Sequence, residues 1–346
     1  MKNIIFLYAE MVPSWMPTFN ILAKDHGCAV NVVHWDHKKK TPYIPPEVEG
    51  VSFYNRSQFT QGSLERFVDE IKPDVIFISG WMDKGYLKAV IRARARQVPV
   101  VSGFDDWWTG SIRQRFATLI PSSVRRLFFS HAWVAGPRQY EFAKRIGFQD
   151  SEIIFNLLSC DTSAFNDDCG RPQEKRIDQF LYIGRFSEEK GIGTLMDGYE
   201  QYRKERGGTW SLLCIGNGPL KYMIERNDKV DLLPFLEPEE LKKYFRCSGA
   251  FLLPSERDFS PLVVHEAACA SMPLILSSNV GNISTFGINK YNAFIFEAGS
   301  ARDLANVLKR MEETDCQRRK KMGENSKTLS LRISPEICAA SLLSII

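Results

Sequence analysis

The sequence lacks any uncharged apolar segment approaching the roughly 18 to 20 residues that a membrane helix requires, so a helical bilayer span is excluded. It also lacks a C-x-x-C pair. Its eight cysteines, Cys28, Cys160, Cys169, Cys214, Cys247, Cys269, Cys316 and Cys338, are scattered, a spacing that argues against zinc, a redox motif or a disulfide framework and that fits a reducing cytoplasm. There is no Pro/Gly/Ser-rich or Gln/Asn-rich tract and no repeat, which leaves an ordered globular chain. Strong charge is absent as well. The net charge is +4, and all of the excess lies before Phe165, with 20 Lys and Arg against 16 Asp and Glu. That is too little for a nucleic-acid binder, which needs a basic stripe, but it suits a face turned toward anionic lipid or an acidic substrate.

What is present is alternation. The opening stretch "MKNIIFLYAEMVPSW" is broken by Glu10 and Pro13, with no small-residue cleavage site, and reads as a first strand rather than a signal peptide. "NIIFLYA", "AVNVVHW", "DVIFIS", "VPVVSGF" and "AWVAG" are separated by segments long enough for crossover helices. After a polar, turn-rich linker at 159–178, the pattern restarts with "QFLYIG", "WSLLCIG", "VDLLPF", "GAFLLPS", "PLILSS" and "NAFIFE". Strands alternating with helices predict parallel sheets, here two doubly wound Rossmann-like α/β domains. Their expected bounds are 1–165 and 166–331. The terminal "SPEICAASLLSII" has helical spacing with a Ser-Pro start. In such folds ligands bind beyond the carboxyl ends of strands, so the residues just after each run carry the information.

Three of those turns stand out. In "YIGRFSEEKG", Gly184 permits a tight turn, and Arg185 and Lys190 place two cations around a loop that opens a helix at Gly191, a plausible diphosphate clamp. A solvated turn with Lys190 paired to Glu188 or Glu189 is the bland alternative. "CIGNGPL" places Gly216 and Asn217 in a second turn, where a base or ribose could approach the backbone. In "SERDFSPLVVHEAACA", Ser260 and Pro261 look like an N-cap and first helical position, with the N–H groups of Leu262 and Val263 free, and Glu266 one turn deeper on their face. Asp258 and Glu266 flank this apolar run, and without a ligand both are expected to be poorly paired.

These ordered motifs resemble the donor domain of family 4 glycosyltransferases with the GT-B fold. "GRFSEEKG" looks like their phosphate loop, "IGNGP" like their I-G-x-G-P turn, "FLEPEEL", which contains Leu236, like the loop before their Glu-Glu-Leu helix, and "PSERDFSPLVVHEAACASMP" like their most specific signature. The resemblance covers residues 176–310 strongly and the rest by layout. It implies two domains facing each other across a cleft and retaining transfer of a sugar from a nucleotide diphosphate sugar, with no cofactor and no bound metal. It further implies that Arg185 and Lys190 hold the diphosphate with the amides around Leu262, that Glu266 holds the ribose, and that Asp258 meets the donor sugar's hydroxyls. The terminal helix, 332–346, is implied to cross back onto the first domain. Departures are Asp258 for Glu, Ser260 for Gly, Ser271 for the helix-ending Gly, Asn282 for the second Gly of a Gly-Gly pair, and Thr285 for a Glu.

On the acceptor side, "VPVVSGFDDWW" resembles the family's P-V-V-x-x-x-H-D, with Asp105 in place of His as an acceptor for the donor sugar; a helix cap is the alternative reading of Asp105. His131 sits in an apolar stretch and reads mainly as a core histidine. Residues 107–129 mix aromatics with Arg113, Arg115, Arg125 and Arg126, as a bilayer-contacting surface would, although Pro121 interrupts the pattern. Lys38–Lys40 and Arg92, Arg94 and Arg96 read as solvated faces. The expected partners are a nucleotide-sugar donor, a glycan or lipid-linked acceptor and an anionic membrane face, with no nucleic acid. Rival readings are a sugar-nucleotide epimerase of the same fold and a degenerate, non-catalytic partner subunit.

Overall fold

Thirteen short strands, rich in Val, Ile, Leu and Phe, form two all-parallel sheets in the computed structural model, which describes residues 1–36, 43–165 and 176–346. Strands such as "VIFI" and "LILS" are buried along their whole length, as strands covered by helices on both faces must be. The chain divides into two compact units, Met1–Ser159 with Pro335–Ile346, and Cys160–Ser334. The lysines at 38–40 and Cys169 lie outside the described residues.

The first unit holds β1 (Asn3–Tyr8), β2 (Ala29–His34), β3 (Val51–Asn55), β4 (Val75–Ile78), β5 (Val100–Phe104), β6 (His131–Val134) and β7 (Ile153–Ile154), in the order β3-β2-β1-β4-β5-β6-β7. β3 and β7 go beyond the five expected strands. β3 is a half-exposed edge strand with no buried run to betray it, and β7 is two residues long. On one face of the sheet, Phe6, Trp15, Phe19, Phe77 and Trp133 form an aromatic cluster, with Phe6 edge-on to Phe19 at 4.7 Å between centroids and Phe77 edge-on to Trp133 at 5.7 Å. The terminal helix Pro335–Leu343 packs on the helix Met16–Lys24, and Asn156 Nδ2 donates to Ser341 Oγ at 3.2 Å.

The second unit holds β8 (Ile177–Ile183), β9 (Ser211–Ile215), β10 (Val230–Leu233), β11 (Ser248–Leu253), β12 (Leu274–Ser277) and β13 (Ala293–Phe296), ordered β10-β9-β8-β11-β12-β13. The boundary falls earlier than the linker composition suggested. Asp161 accepts from the Ala164 amide at 3.0 Å, and Phe165 meets Phe245 edge-on at 5.5 Å, so residues 160–165 already pack with the second unit.

Candidate functional site

From β8 the chain moves to β9 on one side, then returns to add β11 on the other, which makes the carboxyl end of β8 a topological switch point. Gly184 and Arg185 follow β8, Gly216 and Asn217 follow β9, Leu236 follows β10, and the stretch from Ser255 to Leu262 follows β11.

These turns are tied together through their backbones. The Gly184 amide donates to Ile215 O at 3.0 Å and the Phe186 amide to Asn217 O at 2.9 Å. Gly216 has φ +148°, and a Cβ there would lie 2.0 Å from Gly184 O, so the turn admits only glycine. On the other side, Glu189 O accepts both the Glu256 and the Arg257 amides at 3.0 Å. Gly191 has φ +71° and would place a Cβ 2.1 Å from Pro254 O. Both glycines therefore exist to let neighbouring strand ends touch.

The charged side chains sit on this scaffold. Arg185 is exposed, and its main-chain oxygen accepts from the buried Tyr182 hydroxyl at 2.9 Å. Lys190 does not pair with Glu188 or Glu189. Its Nζ lies 2.5 Å from Asp258 Oδ2, and the fully buried Ser255 donates its hydroxyl to the same oxygen at 3.2 Å. Asp258 was expected to be poorly paired without a ligand, and the structure overturns that: a carboxylate only 9% exposed needs local partners, and it has two. Ser255, three residues before Asp258, was missed in the sequence, although its spacing from the acid was visible.

The helix after this turn runs Leu262–Cys269, one residue later than expected. Pro261, not Ser260, is the flanking position, and it makes no side-chain cap. The amides of Leu262 and Val263, in the helix's first turn, have no intrahelical acceptor. Asn282, where a glycine was anticipated, donates Nδ2 to Pro261 O at 2.8 Å and so fixes the helix start from the β12 side. Glu266, one turn in, is partly buried, and no hydrogen bond or ion pair reaches its carboxylate among the described residues. Burial pushes its pKa up to about 7. Ser271, past the helix end, takes the left-handed φ of 57° that glycine would adopt freely. Arg176 compensates, with its guanidinium donating to Ala270 O at 2.7 Å and Ser271 O at 3.1 Å.

In the first unit, Asp105 and Asp106 follow β5. The cap reading of Asp105 fails, because the next helix, Ile112–Thr118, is capped by Ser111. No ion pair reaches either acid among the described residues, and burial followed by the neighbouring Asp105 raises Asp106 to about 6. His131 stands at the first position of β6, the opposite strand end from Asp105, with Nδ1 2.8 Å from Ser130 Oγ, so it is not at the mouth. The basic face of residues 107–129 is smaller than four arginines implied. Arg125 is 1% exposed, lies over the Phe148 ring and pairs with Glu152 at 2.8 Å, and Arg126 pairs with the same acid at 3.1 Å. Ile112, Phe116 and Leu119 are 75, 66 and 74% exposed beside Arg113 and Arg115. Arg92 and Arg96 are likewise not simply solvated, since both reach Asp69, at 2.8 and 2.5 Å.

No described helix is long and apolar enough to cross a membrane. Residues 170–329 match the family described as glycosyl transferases group 1. A Bacillus subtilis (strain 168) protein named as the teichuronic acid biosynthesis glycosyltransferase TuaC is 25% identical over 70% of this chain and 62% of its own length. The Erwinia amylovora amylovoran biosynthesis glycosyltransferase AmsK is 26% identical over 39% of this chain and 36% of its own. The chain thus spans under two thirds of the length of either relative. A crystal structure of Anabaena Alr3699/HepE in complex with UDP superposes over 100% of both chains with a TM-score of 0.73 at 14% identity, a likeness of fold. Residues 170–329 are thus similar to glycosyl transferases group 1, and the chain shares its fold with that solved structure.

Proposed function

We propose that this chain is a GT-B glycosyltransferase that transfers a sugar, with retention and without a metal, from a nucleotide diphosphate sugar to a glycan or glycolipid acceptor. The observation that carries this reading is the set of three turns tied together at the ends of β8, β9 and β11, the first two shaped by glycine, with Arg185, Lys190, Asp258 and the start of the Leu262–Cys269 helix around them. The bond between the sugar's anomeric carbon and the diphosphate oxygen breaks, and the diphosphate leaves with the electron pair. Arg185, Lys190 and the amides of Leu262 and Val263 offset that developing charge, and the acceptor hydroxyl forms the new bond to the same carbon on the face the diphosphate leaves, its proton passing to the departing diphosphate oxygen. Glu266 accepts from the ribose hydroxyls. Asp258 accepts from the sugar.

UDP in the HepE structure makes uridine donors the first to try. Release of nucleotide diphosphate from UDP-, GDP- and ADP-sugars measures the activity, and Asp258→Asn is expected to spare nucleotide affinity while lowering kcat at least 10-fold, since it touches the sugar that moves. Isomerised free sugar nucleotide would favour an epimerase, and binding without turnover of any donor a non-catalytic subunit. The acceptor side is proposed to meet an anionic bilayer through Ile112, Phe116, Leu119 and Arg113. Co-sedimentation with anionic vesicles at low salt, lost in Phe116→Glu, supports that contact, and wild-type protein left in the supernatant at low salt contradicts it.

A further inference from the structure

The cysteine spacing argued against a metal, yet folding brings three thiophilic ligands together at the start of the second unit. Cys160 comes from the segment before the helix Thr162–Phe165, and His265 and Cys269 lie four apart on one face of the helix Leu262–Cys269. All three are at most 2% exposed, and their ligand atoms fall within 4.8 Å of one another. The two sulfurs are 3.8 Å apart. Two thiolates on one tetrahedral zinc, each about 2.3 Å from the ion, stand roughly 3.8 Å apart.

The histidine is already held as a ligand would be. Its Nε2 lies 2.9 Å from Ser330 O, an acceptor only, so that nitrogen carries the proton. Nδ1 is left with its lone pair, which accepts from the Cys160 amide at 3.2 Å and therefore faces the cysteines. The ring is clamped against Phe286, with centroids 4.3 Å apart and planes 14° from parallel. A carbonyl behind one imidazole nitrogen, with the other directed at thiols, is the outer support that orients histidine ligands in metal sites.

From this we infer that Cys160, His265 and Cys269 form a buried binding site for a divalent thiophilic cation of the zinc class. The ion takes the Nδ1 lone pair in exchange for the long bond from the Cys160 amide, and displaces one proton from each thiol. Two thiolates then balance its two charges, so the buried site is neutral overall. Its fourth ligand comes from water or a main-chain carbonyl. The site fastens the segment by which the chain enters the second unit to the helix that carries Glu266. It is independent of the proposed transfer reaction, in which no metal takes part.

Cobalt tests this in the full-length chain, kept reduced and stripped of metal by a chelator. One equivalent of Co²⁺ is expected to develop thiolate-to-cobalt charge transfer and the intense visible bands of tetrahedral coordination, and one equivalent of zinc should bleach them. Cys160→Ser and His265→Gln are each expected to weaken cobalt binding by at least about 10-fold, whereas Cys316→Ser, at an exposed cysteine, should leave it unchanged. Should a variant fold poorly, the metal-free wild type alone suffices: added zinc is expected to raise its thermal midpoint. The inference is overturned if one equivalent of cobalt gives no such spectrum, if the spectrum persists without Cys160, if zinc leaves the midpoint unchanged, or if mass analysis under reducing buffer finds the pair joined by loss of two hydrogens.

Discussion

The strand mouths of the two units are built differently. In the second, β8, β9 and β11 end in turns held by main-chain bonds between neighbours, with glycine where any side chain would collide, and an exposed Arg185 and a Glu266 that bonds to none of the described residues stand outside them. In the first, main-chain bonds such as that from the Trp35 amide to Ala9 O at 2.9 Å are joined by side-chain bonds. The Ala9 amide donates to Ser79 Oγ at 2.9 Å, and the Tyr86 hydroxyl donates to Tyr8 O at 3.2 Å and Val33 O at 3.0 Å. Asp83 is satisfied by Trp35 and Arg56, at 2.9 and 3.1 Å, which hold its carboxyl below its ordinary range against the effect of burial. A phosphate-bearing ligand imposes the same demands of backbone approach and positive charge wherever it binds, and those demands leave glycines and cations at fixed spacing. An acceptor imposes none that are so general.

That contrast can be broken most forcefully at the glycines. Gly216→Ala drives a methyl group into a main-chain oxygen and should destabilise the second unit by about 3 kcal/mol. Gly80→Ala, after β4, shares a positive φ of 81° but has nothing within 4 Å of the new carbon, and should cost only about 1 kcal/mol. Urea unfolding of the two variants measures the difference, and equal losses would dissolve the distinction between the mouths.

Lys190→Ala probes the charge. It leaves Asp258 buried without its cation, so a stability loss of about 2 kcal/mol is expected together with a loss of about 1.5 to 3 kcal/mol in nucleotide diphosphate affinity. Unchanged binding by calorimetry would make the ion pair purely structural.

The smallest effect belongs to the first unit. Asp106 has a folded pKa raised to about 6 by burial and by Asp105, so the folded state holds its proton more tightly than the unfolded chain does. Stability is therefore lost as pH rises from the ordinary aspartate value through 6. Asp106→Asn should recover on the order of 1 kcal/mol at pH 8 and nothing at pH 3. A pH-independent difference in unfolding free energy would contradict this assignment.

The architecture was legible because parallel strands buried on both faces leave continuous apolar runs, and every strand of the second unit except the edge strand β10 contains one. β3 was not, since a half-exposed edge strand carries no such run. At the site, Gly184, Arg185, Lys190, Asp258 and Glu266 could be picked out by chemistry and spacing, but their pairing could not. Nothing in the sequence says that Lys190 meets Asp258 across 68 positions, or that Asn282 bonds to Pro261. Cys160 and Cys269 were dismissed for the same reason, because 109 positions separate sulfurs that end 3.8 Å apart. Only the His265 and Cys269 pair, four apart on a helix, offered a local sign.

The most direct test of the central claim, that the second unit's strand mouths hold a nucleotide diphosphate, is calorimetric titration of wild type and Arg185→Ala with UDP, GDP and ADP. Arg185 is exposed and has no ion-pair partner among the described residues, so its removal should leave thermal stability unchanged. One nucleotide is expected to bind the wild type, with affinity reduced about 10-fold or more in the variant. Equal affinities, or no binding by any of the three, would contradict the account.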